Sequence, residues 1–170
     1  KESWQMLDLS YNLDNPSIVR YPRGTGEFDG YSKEKFSYPQ LELGKSLVLR
    51  DIKSKITILF FGPFKSIAMK LGELFDARVV NMRFVKPIDM DEINFSCQNS
   101  KVIVTIEENA KFGGAGSYIS EIITETKKPI PVIKFGIADY FLDHGTQAEL
   151  LDEAGLTYDK IVSKINNFLK

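Results

Sequence analysis

Two arginines near the start of the chain, Arg20 and Arg23, have the type and spacing that suit chemistry with an anion. The apolar residues between positions 17 and 21 fit a short buried strand, and the proline and glycines that follow would end it. A guanidinium offers a planar fork of donors that matches the oxygens of phosphate or carboxylate. Two of them at a strand end could form an oxyanion clamp, but their spacing by itself favours two solvated surface arginines, because arginine is mostly exposed.

A second candidate is the run from Glu107 to Ser117, in which two carboxylates precede a glycine-rich turn and a predicted helix. Backbone N–H groups at a helix N-terminus bind phosphates, but the run has neither the Lys-Ser/Thr pair of a P-loop nor the glycine spacing of a dinucleotide site. Two acidic residues would also repel an anion. We therefore expect tight packing of this helix on a sheet or a neighbouring subunit, with nucleotide binding as the alternative.

The adjacent carboxylates of Glu107 and Glu108 could also form an acid/base pair. Successive residues of a strand point to opposite faces, so the two side chains do not converge on one substrate. A capping or interface role is the better prediction.

Two further stretches carry charges that could be functional. His144 follows Asp143 in a loop before a predicted helix, but no recognisable motif supplies a Ser or Cys nucleophile for a triad. The stretch from Arg83 to Asp89 follows a predicted strand and could anchor a loop through its charges. A structural role is expected for both.

The composition limits the partners and the setting. The 170 residues include 22 Lys+Arg and 23 Asp+Glu, a net charge of -1 that gives no basic field for nucleic acid or an anionic membrane. A single cysteine and a single histidine exclude a disulfide within the chain and a Cys/His zinc cluster, which suits a reducing, cytoplasmic setting. No apolar run is long enough to span a bilayer, and the start lacks the apolar core of a signal peptide.

The elements that must position these residues follow from hydrophobic periodicity. The sequence begins at Lys1 with an apolar set at helical spacing, which predicts a helix over residues 2–13 and, since nothing precedes it to pack on, a piece of a longer polypeptide. Residues 24–40 have the composition of a linker. Strands are then predicted at 45–51, 55–61, 77–82, 101–107 and 130–135, and helices at 63–75, from 89, at 116–126, 146–152 and 158–169. The alternation predicts an α/β fold, a mostly parallel sheet with helices on both faces, preceded by a helix-strand tail of an upstream domain.

Four ordered motifs resemble the 1-deoxy-D-xylulose-5-phosphate synthase family of the transketolase superfamily. They are Arg20-Tyr21-Pro22-Arg23-Gly24, the stretch Met82–Asp89, Glu107-Glu108-Asn109 with Gly113-Gly114-Ala115-Gly116-Ser117, and the stretch His144–Leu151. The resemblance covers essentially the whole chain. It implies the C-terminal portion of such an enzyme, with residues 1–23 as the end of the middle, pyrimidine-binding domain, 24–40 as a linker and 41–170 as a transketolase C-terminal-like domain.

The same resemblance implies a thiamine-diphosphate- and Mg²⁺-dependent transferase. The family joins pyruvate to D-glyceraldehyde 3-phosphate with loss of CO₂, at the start of the non-mevalonate isoprenoid route and of thiamine biosynthesis. It implies that Arg23, with Arg20 as a second residue, binds the substrate phosphate, that the cofactor and metal are held by the missing N-terminal and middle domains, and that this portion supplies homodimer contacts and is inactive alone. The resemblance implies no catalytic, cofactor-binding or metal-binding residue here. Alternatives are the C-terminal domain of another thiamine-diphosphate enzyme, such as a 2-oxo-acid dehydrogenase β subunit, or a non-catalytic interaction or nucleotide-binding module.

Overall fold

Five segments rich in β-branched residues form one sheet in the computed structural model of the chain, which describes residues 2–22 and 41–170. The strands are β1 (Leu47–Arg50), β2 (Ile56–Phe60), β3 (Arg78–Asn81), β4 (Val102–Ala110) and β5 (Val132–Ile137). The helices of the described ranges are α1 (Glu2–Tyr11), α2 (Lys65–Leu74), α3 (Met90–Asn99), α4 (Ala115–Thr124), α5 (Gln147–Glu153) and α6 (Tyr158–Leu169).

The order of the strands across the sheet is β1-β3-β2-β4-β5. All neighbours are parallel except β1, which runs antiparallel to β3 at one edge. At the centre, Ile58 of β2 aligns with Val79 of β3 on one side and Val104 of β4 on the other. Every residue of β2 and β3 is buried, which is why these strands read as continuous apolar runs rather than as alternating patterns.

Helices cover both faces of the sheet. One face packs on α2 and α6 through Ala68, Leu71, Ile161 and Ile165. The other packs on α3 and α4 through Ile93, Cys97, Ile119 and Ile123. The predicted α/β class, with a mostly parallel sheet between two helical layers, is confirmed.

The segment before the sheet differs from the prediction. The first helix is present as α1, but residues 12–22 form no helix or strand, so the strand expected at residues 17–21 is wrong. Ile18 is 91% exposed and Tyr21 is 80% exposed. β-branched residues favour extended backbone, but a strand needs a neighbouring strand to satisfy its N–H and C=O groups, and none lies beside this segment in the described structure. The expected linker at 24–40 lies outside the described residues.

Two elements run further than their sequence patterns indicate. The helix predicted from Asp89 continues to Asn99, because Ile93, Ser96 and Cys97 all turn inwards. Strand β4 continues past Glu107 to Ala110, and its pairing with β5 is irregular between Ile106 and Ala110. This irregular end of β4 leads into the glycine-rich turn.

Candidate functional site

The carboxyl ends of the parallel strands gather several of the charged residues singled out above. Ligands of open α/β sheets bind at this edge, so its geometry decides between a binding and a structural role. Glu107, Glu108 and the glycine-rich turn follow β4, and Arg83 follows β3.

Glu107 is buried at this edge and faces the N-terminus of α4. Its Oε2 accepts a hydrogen bond from the Ala115 N–H at 3.0 Å, and its Oε1 accepts one from the Gly116 N–H at 2.7 Å. Both are charge-assisted bonds to N–H groups that have no partner within the helix. The carboxylate therefore occupies the positive end of α4, the position that a bound phosphate would need. The predicted capping role is confirmed for Glu107.

The glycines of the turn allow the close approach of α4 to the sheet. A Cβ at Gly114 would lie 2.2 Å from the Ala110 carbonyl oxygen, and a Cβ at Gly116 would lie 2.4 Å from Thr105 Oγ1. Neither distance is possible for real atoms, so these positions exclude any side chain unless the backbone shifts. The glycine pattern is explained by helix packing, as expected, without a nucleotide.

Glu108 has surroundings different from those of its neighbour. It is half-buried, and its Oε1 accepts a hydrogen bond of 3.3 Å from the Gln147 side chain of α5. Since Glu107 instead turns to α4, the two carboxylates diverge, and an acid/base pair is excluded by the geometry as the alternation of strand residues predicted.

Arg83 anchors a helix. Its backbone adopts a left-handed conformation with φ of +56°, and its Nε donates a hydrogen bond to Glu2 Oε1 at 2.6 Å. Asn81 Nδ2 donates to the other Glu2 oxygen at 3.1 Å, while Asn81 Oδ1 accepts from the Arg83 N–H at 3.1 Å. The charge of Arg83 thus holds the start of α1 at the carboxyl end of β3, rather than the loop that follows.

Asp89, at the far end of the same stretch, caps α3. Its Oδ1 accepts a hydrogen bond from the Glu92 N–H, and its Oδ2 accepts two from the backbone and hydroxyl of Ser46, just before β1. Burial opposes the charged carboxylate, but these hydrogen bonds and the nearby Lys45 outweigh it and lower the pKa of Asp89 below its ordinary value. Asp89 joins α3 to the edge strand and is structural.

His144 lies exposed in the loop before α5. Within the part of the chain that the structure describes, it has neither a hydrogen-bond nor an ion-pair partner. Thr146 begins α5 with a capping box, in which its side chain and that of Glu149 satisfy each other's backbone N–H groups. The expected structural reading of this loop therefore holds.

A buried ion pair that the sequence pattern did not indicate lies at the other end of the sheet. Arg78 Nη1 and Nη2 both bond to the Glu92 carboxylate of α3, the latter at 3.1 Å, and Arg78 Nε bonds to Asp51 at 3.0 Å. Ser96 donates to Glu92 at 2.7 Å, and the guanidinium stacks 4.7 Å from the Phe95 ring centre. Burial opposes the charge, but Glu92 and Asp51 raise the pKa of Arg78 above its ordinary value. A charged pair between a strand start and a helix is a tertiary feature without a local sequence signal.

The structure describes only one of the two arginines of the predicted oxyanion clamp. Arg20 is exposed in the irregular segment after α1, and Arg23 lies outside the described residues. Within the described residues, no ion pair joins Arg20 to a carboxylate of this edge. No cluster of three or more His, Cys, Asp or Glu suited to a metal ion occurs within residues 2–22 and 41–170. Likewise, none of the helices described in those ranges is long and apolar enough to cross a membrane.

Comparisons with known proteins agree on one family. The model for the family described as transketolase, C-terminal domain, matches residues 44–161. A 1-deoxy-D-xylulose-5-phosphate synthase of Dechloromonas aromatica (strain RCB) is 42% identical over 164 residues, which are 96% of this chain and 26% of that protein. The synthase of Haemophilus influenzae (strain PittGG) is 40% identical over 99% of this chain and 26% of its own length.

Among solved structures, a split-gene transketolase described as an inactive beta4 tetramer superposes with a TM-score of 0.66 and 32% identity. The match covers 76% of this chain and 42% of the other. The chain spans about a quarter of the length of these curated relatives. With a family model that matches most of the sheet and its helices, the chain belongs to the transketolase C-terminal domain family.

Proposed function

We propose that the chain is the C-terminal portion of a 1-deoxy-D-xylulose-5-phosphate synthase, which condenses pyruvate with D-glyceraldehyde 3-phosphate and releases CO₂. The observation that carries the proposal is the extent of the similarity. The family model begins at residue 44, whereas relatives with this name align over 96% to 99% of the chain. Most of the segment that holds Arg20 and Arg23 is therefore shared with those synthases as well.

The other readings have less support. A 2-oxo-acid dehydrogenase β subunit would share the C-terminal domain, but the similarity before residue 44 is to proteins named as synthases. A nucleotide-binding module would use the N-terminus of α4, where the Glu107 carboxylate already accepts the free N–H groups. We therefore retain the synthase.

Thiamine diphosphate and Mg²⁺ do not fit the described residues of this chain. The glycine-rich start of α4 is filled by a carboxylate, which would repel a diphosphate, and no group of acidic or histidine ligands in the described ranges suits a metal ion. We assign both to the missing N-terminal and middle domains of the whole protein. When bound there, the cofactor supplies the stabilised carbanion that the condensation needs.

The role we assign to this chain has two parts. Residues 41–170 form a scaffold that contributes to a homodimer, joined by a linker at 24–40 to residues 1–23 of the middle domain. Arg23, with Arg20 as the second residue, binds the phosphate of glyceraldehyde 3-phosphate, since a guanidinium matches phosphate oxygens in two parallel hydrogen bonds. We place the whole enzyme in the cytoplasm, and we expect the chain by itself to be inactive.

Steady-state kinetics of the full-length protein test this role. Arg23→Ala should raise the KM for glyceraldehyde 3-phosphate by about tenfold or more, because a charge-assisted contact is lost, and leave the KM for pyruvate within about twofold. Arg23→Lys keeps the charge but loses the planar fork of donors, so its KM for glyceraldehyde 3-phosphate should lie between those of the wild type and Arg23→Ala. Lys86→Ala, an exposed cation elsewhere on the chain, is the matched control. Equal effects on the KM values of both substrates would contradict the proposed phosphate clamp. Pyruvate-dependent CO₂ release by the 170-residue chain alone would contradict the proposal that the cofactor and metal are bound by other domains.

A further inference from the structure

A continuous series of contacts connects the sheet to the segment that carries Arg20. It begins at the carboxyl end of β3, where Arg83 Nε donates to Glu2 Oε1 at 2.6 Å and Asn81 Nδ2 donates to Glu2 Oε2 at 3.1 Å. Since Glu2 is the first residue of α1, these two bonds hold the start of that helix. The Arg83 side chain is only 16% exposed, so salt screens its ion pair less than it screens a pair at the open surface.

The backbone of Arg83 has a conformation that few residues with a Cβ adopt. Its φ of +56° is left-handed, which is unfavourable for any residue other than glycine. The Asn81 side chain supports this turn, because its Oδ1 accepts from the Arg83 N–H at 3.1 Å while its Nδ2 bonds to Glu2. A strained residue of this kind persists only where its surroundings fix it, and such residues are concentrated at functional sites. The turn at Arg83 therefore indicates a role beyond that of a simple connection.

The other end of α1 holds the segment that follows the helix. The Leu13 N–H donates to the Ser10 carbonyl at 3.3 Å, so the chain turns just after the last turn of α1. Ser17 then comes back to the helix, with its hydroxyl 2.6 Å from the Ser10 hydroxyl and 3.4 Å from the Ser10 carbonyl oxygen. A helix of ten residues is a rod about 15 Å long, so the attachment of Glu2 at one end determines where Ser17 lies at the other.

The two arginines of the proposed phosphate clamp follow closely on this attachment. Arg20 is three residues beyond Ser17, and three residues of extended chain span at most about 11 Å. Arg23 is three residues further along the chain. The place at which α1 is held on the sheet therefore limits where both guanidinium groups can lie.

We propose that Arg83 is a positioning residue for this phosphate clamp in the whole enzyme, acting through Glu2 and α1 on the location of Arg20 and Arg23. The proposal rests on the proposed function, in which the two arginines bind the phosphate of glyceraldehyde 3-phosphate. A displacement of about 1 Å is enough to weaken a contact that depends on precise geometry, so release of α1 impairs phosphate binding without the loss of any group that touches the substrate. The C-terminal domain thereby contributes to substrate affinity from outside the binding site.

Steady-state kinetics of the full-length protein test this role. Arg83→Gln should raise the KM for glyceraldehyde 3-phosphate by about fivefold and leave kcat and the KM for pyruvate within about twofold, because only phosphate binding is weakened. Glu2→Gln should have a similar effect, and the double variant should raise this KM no further, since both substitutions break the same contact. Ser17→Ala, at an exposed position where the fold tolerates alanine, should raise it by about threefold.

Arg50→Gln is the matched control, because it breaks an ion pair of 2.9 Å with Asp76 elsewhere on the same domain. It should leave both KM values unchanged. A purely structural role of Arg83 would lower kcat through loss of folded enzyme, or raise both KM values together. Either result without a selective rise in the KM for glyceraldehyde 3-phosphate would overturn the positioning role.

Arg23→Ala in the same series separates this proposal from the one on which it rests. If Arg23→Ala raises the KM for glyceraldehyde 3-phosphate but Arg83→Gln and Ser17→Ala do not, the phosphate clamp stands and the positioning role is overturned. If Arg23→Ala itself leaves this KM unchanged, the clamp and the positioning role are both overturned.

Discussion

The Glu107 carboxylate accepts a hydrogen bond from the Gly116 N–H at 2.7 Å, and this contact joins the end of β4 to the start of α4. The second Glu107 oxygen bonds to the Ala115 N–H. The negative charge of Glu107 at the positive end of the helix replaces an anionic ligand with a residue of the chain itself. A sequence that resembles a phosphate-binding turn is thereby made into a rigid joint.

Replacement of this carboxylate should be costly. Glu107→Gln puts an NH₂ group against one of two buried N–H donors and should lower the free energy of unfolding by about 2–3 kcal/mol, measured by urea denaturation. Glu108→Gln, at the adjacent, half-buried position of β4, should change it by less than about 0.5 kcal/mol. Equal losses of unfolding free energy in the two variants would show that the contact of Glu107 with α4 is not the source of the stabilisation.

The close contact between α4 and the sheet leads to a second prediction, which concerns Gly116. Gly116→Ala places a Cβ against Thr105 Oγ1, a buried atom without a hydrogen-bond partner in the described structure, and should destabilise the fold by about 1–3 kcal/mol. In a Thr105→Ala background, the same substitution should cost about 1 kcal/mol less, because the clashing oxygen is gone. Denaturation of the four proteins of this double-mutant cycle gives the coupling energy, and strict additivity would contradict the steric explanation.

Hydrophobic periodicity was enough to predict the strands and helices of the α/β domain. Its limits are seen at residues 17–21, where Ile18 has the propensity for a strand but is 91% exposed because no second strand pairs with it. The propensity for extended backbone is a property of one segment, whereas a β-strand forms only when a second strand pairs with it. Arg23, the residue on which the proposed clamp depends, lies outside the described structure and stays a prediction.

Some of the charged contacts could be predicted from the sequence, and others could not. The capping box of Thr146 and Glu149 was predictable because both residues lie within one helical turn. The capping role of Glu107 was predictable because successive strand residues point to opposite faces, which separates it from Glu108. The pairing of Arg78 with Glu92 was not, since these residues meet only when α3 packs on the sheet. Long-range charge pairs require the fold before they can be assigned.

Attachment of α1 to the sheet through Arg83 and Glu2 gives a third prediction. Arg83→Gln removes a partly buried ion pair worth about 1 kcal/mol, so the amides of α1 should exchange with solvent about fivefold faster while those of β2 and β4 do not change. Hydrogen exchange followed by NMR measures both sets in one experiment. Arg50→Gln, which breaks an ion pair with Asp76 elsewhere on the domain, should leave α1 unaffected. Unchanged exchange of α1 in Arg83→Gln would mean that other contacts hold this helix.

Stability towards acid should depend on Asp89. Its pKa is lower in the folded chain than the value of about 3.9 for an unfolded aspartate, so the unfolded state binds the proton more readily. The stabilisation is therefore fully present above the unfolded pKa and is lost as the pH falls through the lower, folded pKa. Urea denaturation of the wild type and Asp89→Asn should give a constant difference in unfolding free energy above about pH 5 and a shrinking difference below about pH 4. Asp143→Asn, which removes a carboxylate from the exposed loop before α5, serves as the control variant. A constant difference between wild type and Asp89→Asn at all pH values would mean that Asp89 stabilises α3 through its shape rather than through its charge.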